Sequence, residues 1–220
     1  MKNIIFNAIL LLSVFGFSQE AETTESKVKT DFYVGLGMLN QKYNLNEKLK
    51  ASNVATLSEN ELDFQLGMNF FSKKYSGDVE LSTSISRNEN NNSENLLMGF
   101  TSRLRFHYNI VNKEKFAFTG GLNLAYGGNQ VTFNSKNRTI DLNDLQPNNN
   151  SGEYTLRNNM LFAGPSVAFY YNIGKKMRLR LNVGYEFALT NGRWKSDYAN
   201  IANTVNENGN NRFLFNLSLL

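Results

Sequence analysis

The side chains able to do chemistry in this chain are charged groups set at every second position. Asp78 and Glu80 alternate with Val79 and Leu81, Arg103 and Arg105 with Leu104 and Phe106, and Arg178 and Arg180 with Leu179 and Leu181. Asp63, Glu186 and Arg212 hold the charged phase of similar segments, and His107 continues the phase of Arg105. Successive side chains of a strand point to opposite faces, so each segment has one charged and one apolar face. Carboxylates and guanidiniums gathered on an enclosed face can pair with one another, or line a path for ions. His107, the only histidine, has the chemistry of a general base or, beside acids, of a metal ligand. No serine or acid stands at triad-like spacing from it, and the chain has no cysteine to complete a zinc site. A structural histidine on the inner face is therefore the favoured reading. Asp141, Asp144 and Glu153 offer oxygens to calcium, but their spacing is not that of an EF-hand loop. No P-loop or dinucleotide fingerprint occurs. The sequence thus assigns no catalytic residue, no metal ligand and no cofactor.

Eight alternating segments carry these groups, at about Thr30–Tyr43, Glu59–Phe71, Gly77–Arg87, Leu96–Asn109, Lys115–Asn129, Tyr154–Asn172, Lys176–Asn191 and Arg212–Leu220. Their second faces are apolar; one reads Leu62, Phe64, Leu66, Met68, Phe70. Strands with one charged and one apolar face suit a barrel with lipid outside and a polar lumen. The expected fold class is all-β: an eight-stranded antiparallel up-and-down transmembrane β-barrel. The connections alternate in length. Lys73-Lys74, Val111 to Glu114, and Gly174-Lys175 lie in short turns. Asn44–Ser58, Asn88–Asn95, Gln130–Glu153 and Gly192–Asn211 read as long, asparagine-rich loops. Short turns on the periplasmic side and long loops outside are the barrel arrangement, with both termini periplasmic. Val131 and Phe133 read as continuing the outward phase of the fifth strand beyond the membrane. Phe70, Phe71, Tyr75, Phe106, Tyr108, Phe116, Phe118, Phe169 and Tyr171 lie near the short turns, and Tyr43, Tyr126, Phe187 and Trp194 toward the loops. Rings at both strand ends form the girdles expected at headgroup level.

The N-terminus gives the destination. Lys2 precedes an apolar run from Ile4 to Phe17, and Gly16-Phe17-Ser18 has the small-x-small form of a cleavage site. Residues 1–18 read as a secretory signal peptide, 19–29 as a flexible periplasmic lead-in and 30–220 as the barrel. The leader is too short to span a bilayer as a helix, which needs about 20 residues. Removing it loses one lysine and no acid, lowering the net charge from +4 to +3. The remaining basic residues form no long run, so nucleic acid is not an expected partner. Export with lipid-suited strands leads to the outer membrane of a Gram-negative-type cell.

In architecture the chain resembles the small outer-membrane barrels of the OmpA/OmpX/opacity-protein type. Gly164-Pro165-Ser166-Val167-Ala168-Phe169-Tyr170-Tyr171-Asn172-Ile173-Gly174-Lys175-Lys176, running on through Arg178 to Phe187, is similar to the penultimate hairpin of such proteins. The resemblance covers the whole mature chain and implies outer-membrane lipid and the barrel assembly machinery as partners. It carries no catalytic motif. Members usually end on a lipid-facing aromatic residue that the machinery reads; here the outward phase is Phe213, Phe215, Leu217, Leu219, and the chain ends on Leu220.

Pairing about the connections sets Glu80 opposite Arg103, Asp78 opposite Arg105, Asn69 beside Asp78 and Glu186 opposite Arg212. Small inward residues, Gly67, Gly99, Gly121, Ala125, Gly164 and Gly184, leave room for long side chains. An eight-stranded barrel is only wide enough for its own side chains, and unpaired charge inside it is costly. Asp63, Asp78, Glu80, Arg103, Arg105, His107, Arg178, Arg180, Glu186 and Arg212 are therefore the lumen ion-pair candidates. The leading expectation is a salt-bridged plug in a structural or surface-interaction barrel, whose long loops meet an unknown extracellular partner. The alternative is a narrow channel lined by Arg103, Arg105, Arg178 and Arg180. A lipid-modifying enzyme and a soluble lipocalin-like binder rank lower; the latter would be apolar inside and polar outside.

Overall fold

The computed structural model describes residues 28–136, 152–174 and 177–220. Eight antiparallel strands form a closed barrel: β1 (Lys29–Gln41), β2 (Asn60–Phe71), β3 (Tyr75–Glu89), β4 (Ser93–Asn112), β5 (Phe116–Ser135), β6 (Glu153–Ile173), β7 (Met177–Ala188) and β10 (Arg212–Leu219). Each pairs with its neighbours in sequence, and β1 closes on β10 from Val34↔Leu219 to Gln41↔Arg212. One short helix, α1 (Leu45–Ala51), sits in the β1–β2 connection. Two-residue strands β8 (Gly192–Arg193) and β9 (Asn206–Glu207) pair within the β7–β10 connection. The leader at 1–18, most of the lead-in, and Asp141 and Asp144 fall outside the described residues.

Alternation sorts the side chains. Outward positions of every barrel strand carry an apolar belt, in which Phe32, Leu122 and Phe106 are among the most exposed residues. On β5 the belt runs from Phe116 to Tyr126. Ten steps of about 3.3 Å at the usual barrel tilt of about 40° give a height of roughly 25 Å. Above it the outward positions turn polar: Gly128, Gln130, Thr132 and Asn134 on β5, Asn159 and Arg157 on β6, Arg87 and Glu89 on β3. Strands β3 to β6 therefore project past the belt at the long-loop end. At the other end Tyr75 stacks on Phe106 with ring centroids 5.7 Å apart, and Phe116 stacks on Phe169 at 6.2 Å.

Four sequence expectations need correction. Asn88–Asn95 is not a long loop: Asn88 pairs with Asn95 and Glu89 with Glu94, leaving only residues 90–92 as the tip. Its asparagines can sit in ladder positions because the hairpin stands in water. Val131 and Phe133 face inward, in phase with Ala125 and Gly127, and are almost completely buried. Phe71 is also inward, packing edge-on against Tyr170 at 5.2 Å. Tyr43 and Trp194 are not girdle residues either. With Leu45, Leu49, Leu57, Leu97, Val131 and Phe133 they form an apolar cluster that caps the long-loop end of the barrel. The amphipathic turn of α1 supplies Leu45 and Leu49, which explains why that loop contains a helix at all.

Candidate functional site

The inner face of the barrel holds one continuous charged network. The register sets Glu80 opposite Arg103, Asp78 opposite Arg105, Asn69 opposite Asp78 and Glu186 opposite Arg212. Arg103 contacts Glu80 and, through Nε, Glu186 Oε1 at 2.6 Å. Arg105 reaches Asp78 Oδ1 and Glu80 Oε2, both at 2.7 Å. Arg180 reaches Asp78 Oδ2 at 2.9 Å, and Arg212 Nε reaches Glu186 Oε2 at 2.6 Å. The phenol of Tyr33 lies 3.0 Å from both Asp78 Oδ1 and Glu80 Oε2, and the Arg180 guanidinium lies 4.0 Å above its ring. Arg212 stacks on Phe162 at 3.8 Å. Arg103, Arg180, Glu80 and Glu186 are at most 1% exposed. Charged hydrogen bonds of this kind are strong, and several carboxylates each hold more than one cation. No carboxylate of the Glu80–Glu186 set is left free to take a proton from a substrate.

Tight glycine contacts make the space. A Cβ on Gly67 would fall 2.6 Å from the Tyr33 ring, and one on Gly127 would fall 2.9 Å from Arg212 Nη1. Gly67 thus seats a tyrosine rather than an arginine. Gly164 admits backbone instead: its Cβ would lie 2.0 Å from the Tyr185 carbonyl oxygen. The β6–β7 ladder skips Gly164 and Pro165 at this point, since proline has no N–H to give.

Three of the ion-pair candidates form no ion pair among the described residues. Asp63 accepts a hydrogen bond from Gln65 Nε2 at 2.8 Å, and the residues paired with it on the neighbouring strands, Gly37 and Ser84, carry no charge. Arg178 lies at the short-turn rim, where its Nε donates to Asn172 Oδ1 at 2.7 Å and its guanidinium lies 4.6 Å from the Phe71 ring. His107 does have a serine beside it, contrary to the reading from sequence spacing: Nε2 is 2.6 Å from Ser166 Oγ. Ser166 in turn donates to Asn123 Oδ1 at 2.5 Å. The ring nitrogen facing Ser166 must then be the donor, and Nδ1 accepts from Thr119 Oγ1 at 2.8 Å. With the Thr119 proton given to Nδ1 at 2.8 Å rather than to the Ala168 carbonyl at 3.5 Å, a neutral imidazole satisfies both ring contacts, and Nε2 has no lone pair to activate the serine. No group of three or more His, Cys, Asp or Glu side chains suited to a metal occurs among the described residues.

Three buried residues important to this interior were not singled out from sequence: Tyr33, Glu61 and Glu207. Glu61 shares the inward phase of Asp63, which was the available signal. It bonds Ser84 Oγ and the Tyr43 phenol. Burial pushes the Tyr43 phenol far above its ordinary range, and the Glu61 carboxylate adds to the effect, so the hydroxyl stays a donor. Glu207 is wholly buried in the outer cap. Its carboxylate accepts from Trp194 Nε1 and from the Asn44 backbone N–H, both at 2.6 Å, from the Leu45 N–H at 3.1 Å, and from Asn210 Nδ2. The α1 start lacks a cap from its own Asn44 side chain; Glu207 takes that place from another loop. Beyond the belt, the hydrogen bond from Arg87 holds the Glu94 carboxyl below its usual range at the β3–β4 tip.

Neither a protein-family model nor a curated protein sequence matches the chain. Solved structures do. Ail, the attachment invasion locus protein of Yersinia pestis, aligns with a TM-score of 0.51 at 11% identity, over 86% of this chain and 95% of Ail. A major outer membrane protein from Thermus thermophilus aligns with a TM-score of 0.52 at 8% identity, over 86% of this chain and 98% of that protein. The fold is that of the outer-membrane β-barrels. In this outer-membrane barrel fold the charged lumen lies in the middle, the aromatic rim at the short turns, and the capped mouth beneath the projecting strands.

Proposed function

We propose that the chain resides in an outer membrane as a closed structural and surface-interaction barrel. The observation that carries this reading is the contrast between its two faces. The outside is a continuous belt of exposed apolar side chains, while the inside is filled by Arg103, Arg105, Arg180 and Arg212 locked onto Asp78, Glu80 and Glu186. Apolar surface of this extent facing water would be a severe liability; hydrocarbon removes it. The interior pairs and the apolar cap at the outer mouth support a plug rather than a path for solutes. Any activity toward the outside then belongs to the projecting β3–β6 strands and the capped loops, where an extracellular partner would bind. Lipid and the barrel assembly machinery are the partners the proposal requires in the envelope.

Planar-bilayer conductance of the purified, refolded protein tests it. The wild type is expected to show little steady current, and Arg103→Ala to leak. Stable wild-type conductance whose ion selectivity changes in Arg103→Ala would replace the plug with a channel. Envelope fractionation with sequencing of the mature N-terminus tests the location: recovery in the soluble periplasm, or an intact Met1, rejects it.

A further inference from the structure

The short-turn rim is strongly basic and unusually well braced. Lys73 and Lys74 form the β2–β3 turn, and Lys113 and Lys115 the β4–β5 turn; all four are exposed, with Glu114 the only acid between them. No carboxylate pairs with any of these four among the described residues. Every carbonyl of the first turn is held by β4: Asn109 donates to Ser72 O at 2.9 Å and to Lys74 O at 2.8 Å, and Asn112 Nδ2 to Lys73 O at 3.2 Å. Asn112 directly precedes Lys113, so the two lysine turns are adjacent. Asn172 braces the second turn in the same way, through Glu114 O and, at 2.9 Å, Lys115 O. Lysines on a fixed backbone lose less freedom on binding an anion than lysines on a loose one.

A furrow on the outer face starts at this turn. It has a volume of about 1000 Å³ and includes Ser72, Phe70, Tyr75, Phe106, Leu122 and Leu124 in its walls. Its floor is low because the outward position between Phe70 and Phe106 is Gly77. An apolar slot that opens beside unpaired cations matches one kind of molecule: a phospholipid with a net negative headgroup.

We propose that Lys73, Lys74 and Lys113 bind the headgroup of an anionic phospholipid in the periplasmic leaflet, and that its acyl chain lies in the furrow over Gly77. The rings of Tyr75, Phe106 and Tyr108 immediately above the lysines favour lipid over a soluble polyanion, since such rings mark headgroup depth. The inference rests on the membrane reading given above.

Phe106→Trp places a reporter in the furrow, with Tyr75→Trp as the alternative reporter should the first variant not fold. The protein is refolded into phosphatidylcholine vesicles holding a minority of phosphatidylglycerol, with bromines on the chains of one lipid or the other. Per molecule, brominated phosphatidylglycerol is expected to quench the reporter roughly fivefold more strongly, from the attraction of a basic cluster for anionic headgroups. Joint replacement Lys73→Gln, Lys74→Gln and Lys113→Gln brings the two lipids to parity, as does high salt. Lys48→Gln with Lys50→Gln, at the opposite end, leaves the preference intact. Parity in the unsubstituted turn overturns the proposal, as does a preference that survives the triple replacement. Parity accompanied by lysine-dependent retention on sedimented cell wall would also overturn it and assign the rim to a wall polyanion. Quenching by neither lipid would instead reject the membrane reading itself.

Discussion

Arg103 on β4 and Glu186 on β7 meet at 2.6 Å, though their strands are not neighbours in the sheet. The contact spans the lumen, and Glu186 holds Arg212 with its other oxygen at 2.6 Å. Glu186→Ala strands the buried Arg212 guanidinium and leaves Arg103 with Glu80 alone. It is expected to cost about 3–5 kcal/mol, the usual penalty for breaking a buried pair. Urea unfolding from lipid vesicles measures this. A loss under about 1 kcal/mol would mean that the network reorganises freely, against the close packing described.

Two adjacent glycines on β5 predict opposite outcomes. A Cβ on Gly121 would lie 1.9 Å from the Phe106 carbonyl oxygen and 2.7 Å from His107 Cα, both backbone atoms. On Gly120 nothing lies nearer than Ile110 Cδ1 at 3.4 Å. Gly121→Ala should lose about 1–3 kcal/mol through strand displacement, while Gly120→Ala should fold with near-native stability. Equal effects in an unfolding titration would contradict the assignment of Gly121 to the inner face.

Leu181 and Asn182 separate the two faces of β7. Leu181 points outward beside Phe169 and Leu217, and Asn182 is buried in the lumen. Leu181→Arg should cost about 2–4 kcal/mol if it lies at midplane. That cost should shrink when the protein is moved from bilayer to a thin detergent shell. Asn182→Arg acts through crowding and charge inside the barrel, so its effect should be the same in both media. The reverse pattern would invert the barrel.

Trp194, the only tryptophan, is 1% exposed and donates to Glu207. Glu207→Ala removes the acceptor shared by Trp194, Asn44, Leu45 and Asn210. The outer cap should loosen, with a red shift of Trp194 emission and greater quenching by acrylamide, while the barrel itself stays closed. Unchanged emission would show that the apolar cluster holds the cap without Glu207.

The barrel was legible in the sequence because period-two alternation with an apolar face survives in every strand. Neighbouring pairs such as Glu80 with Arg103 followed from counting outward from a connection. Contacts across the lumen did not: which strands face each other depends on tilt and stagger, and no local pattern encodes that Arg180 meets Asp78. Tyr33 was overlooked because it stands between Phe32 and Val34 and has no charge to mark its face as the inner one. Val131 and Phe133 show the opposite hazard. Their apolar character suggested the outside, but strand phase decides, and a shift of one residue exchanges the faces. Beyond the belt that rule still holds while its chemistry reverses, so apolar residues go in, under the cap. The role of Glu207 depended on how two loops distant in sequence fold together.

The closure of β1 on β10 divides the interior contacts by the moment at which they can exist. Adjacent strands already oppose Glu80 to Arg103 and Asp78 to Arg105, so a single hairpin can make those pairs while the rest of the chain is still being delivered. Arg103 with Glu186 and Arg180 with Asp78 join strands far apart in the sheet and need the complete ring, whereas Tyr33 with Glu80 needs only the curved run of β1 to β3. Charge neutralisation on each hairpin would come early, and the cross-lumen links would form as the seam closes. A variant lacking only a cross-lumen link should therefore insert at a normal rate and reopen faster, whereas one lacking a hairpin pair should stall at insertion.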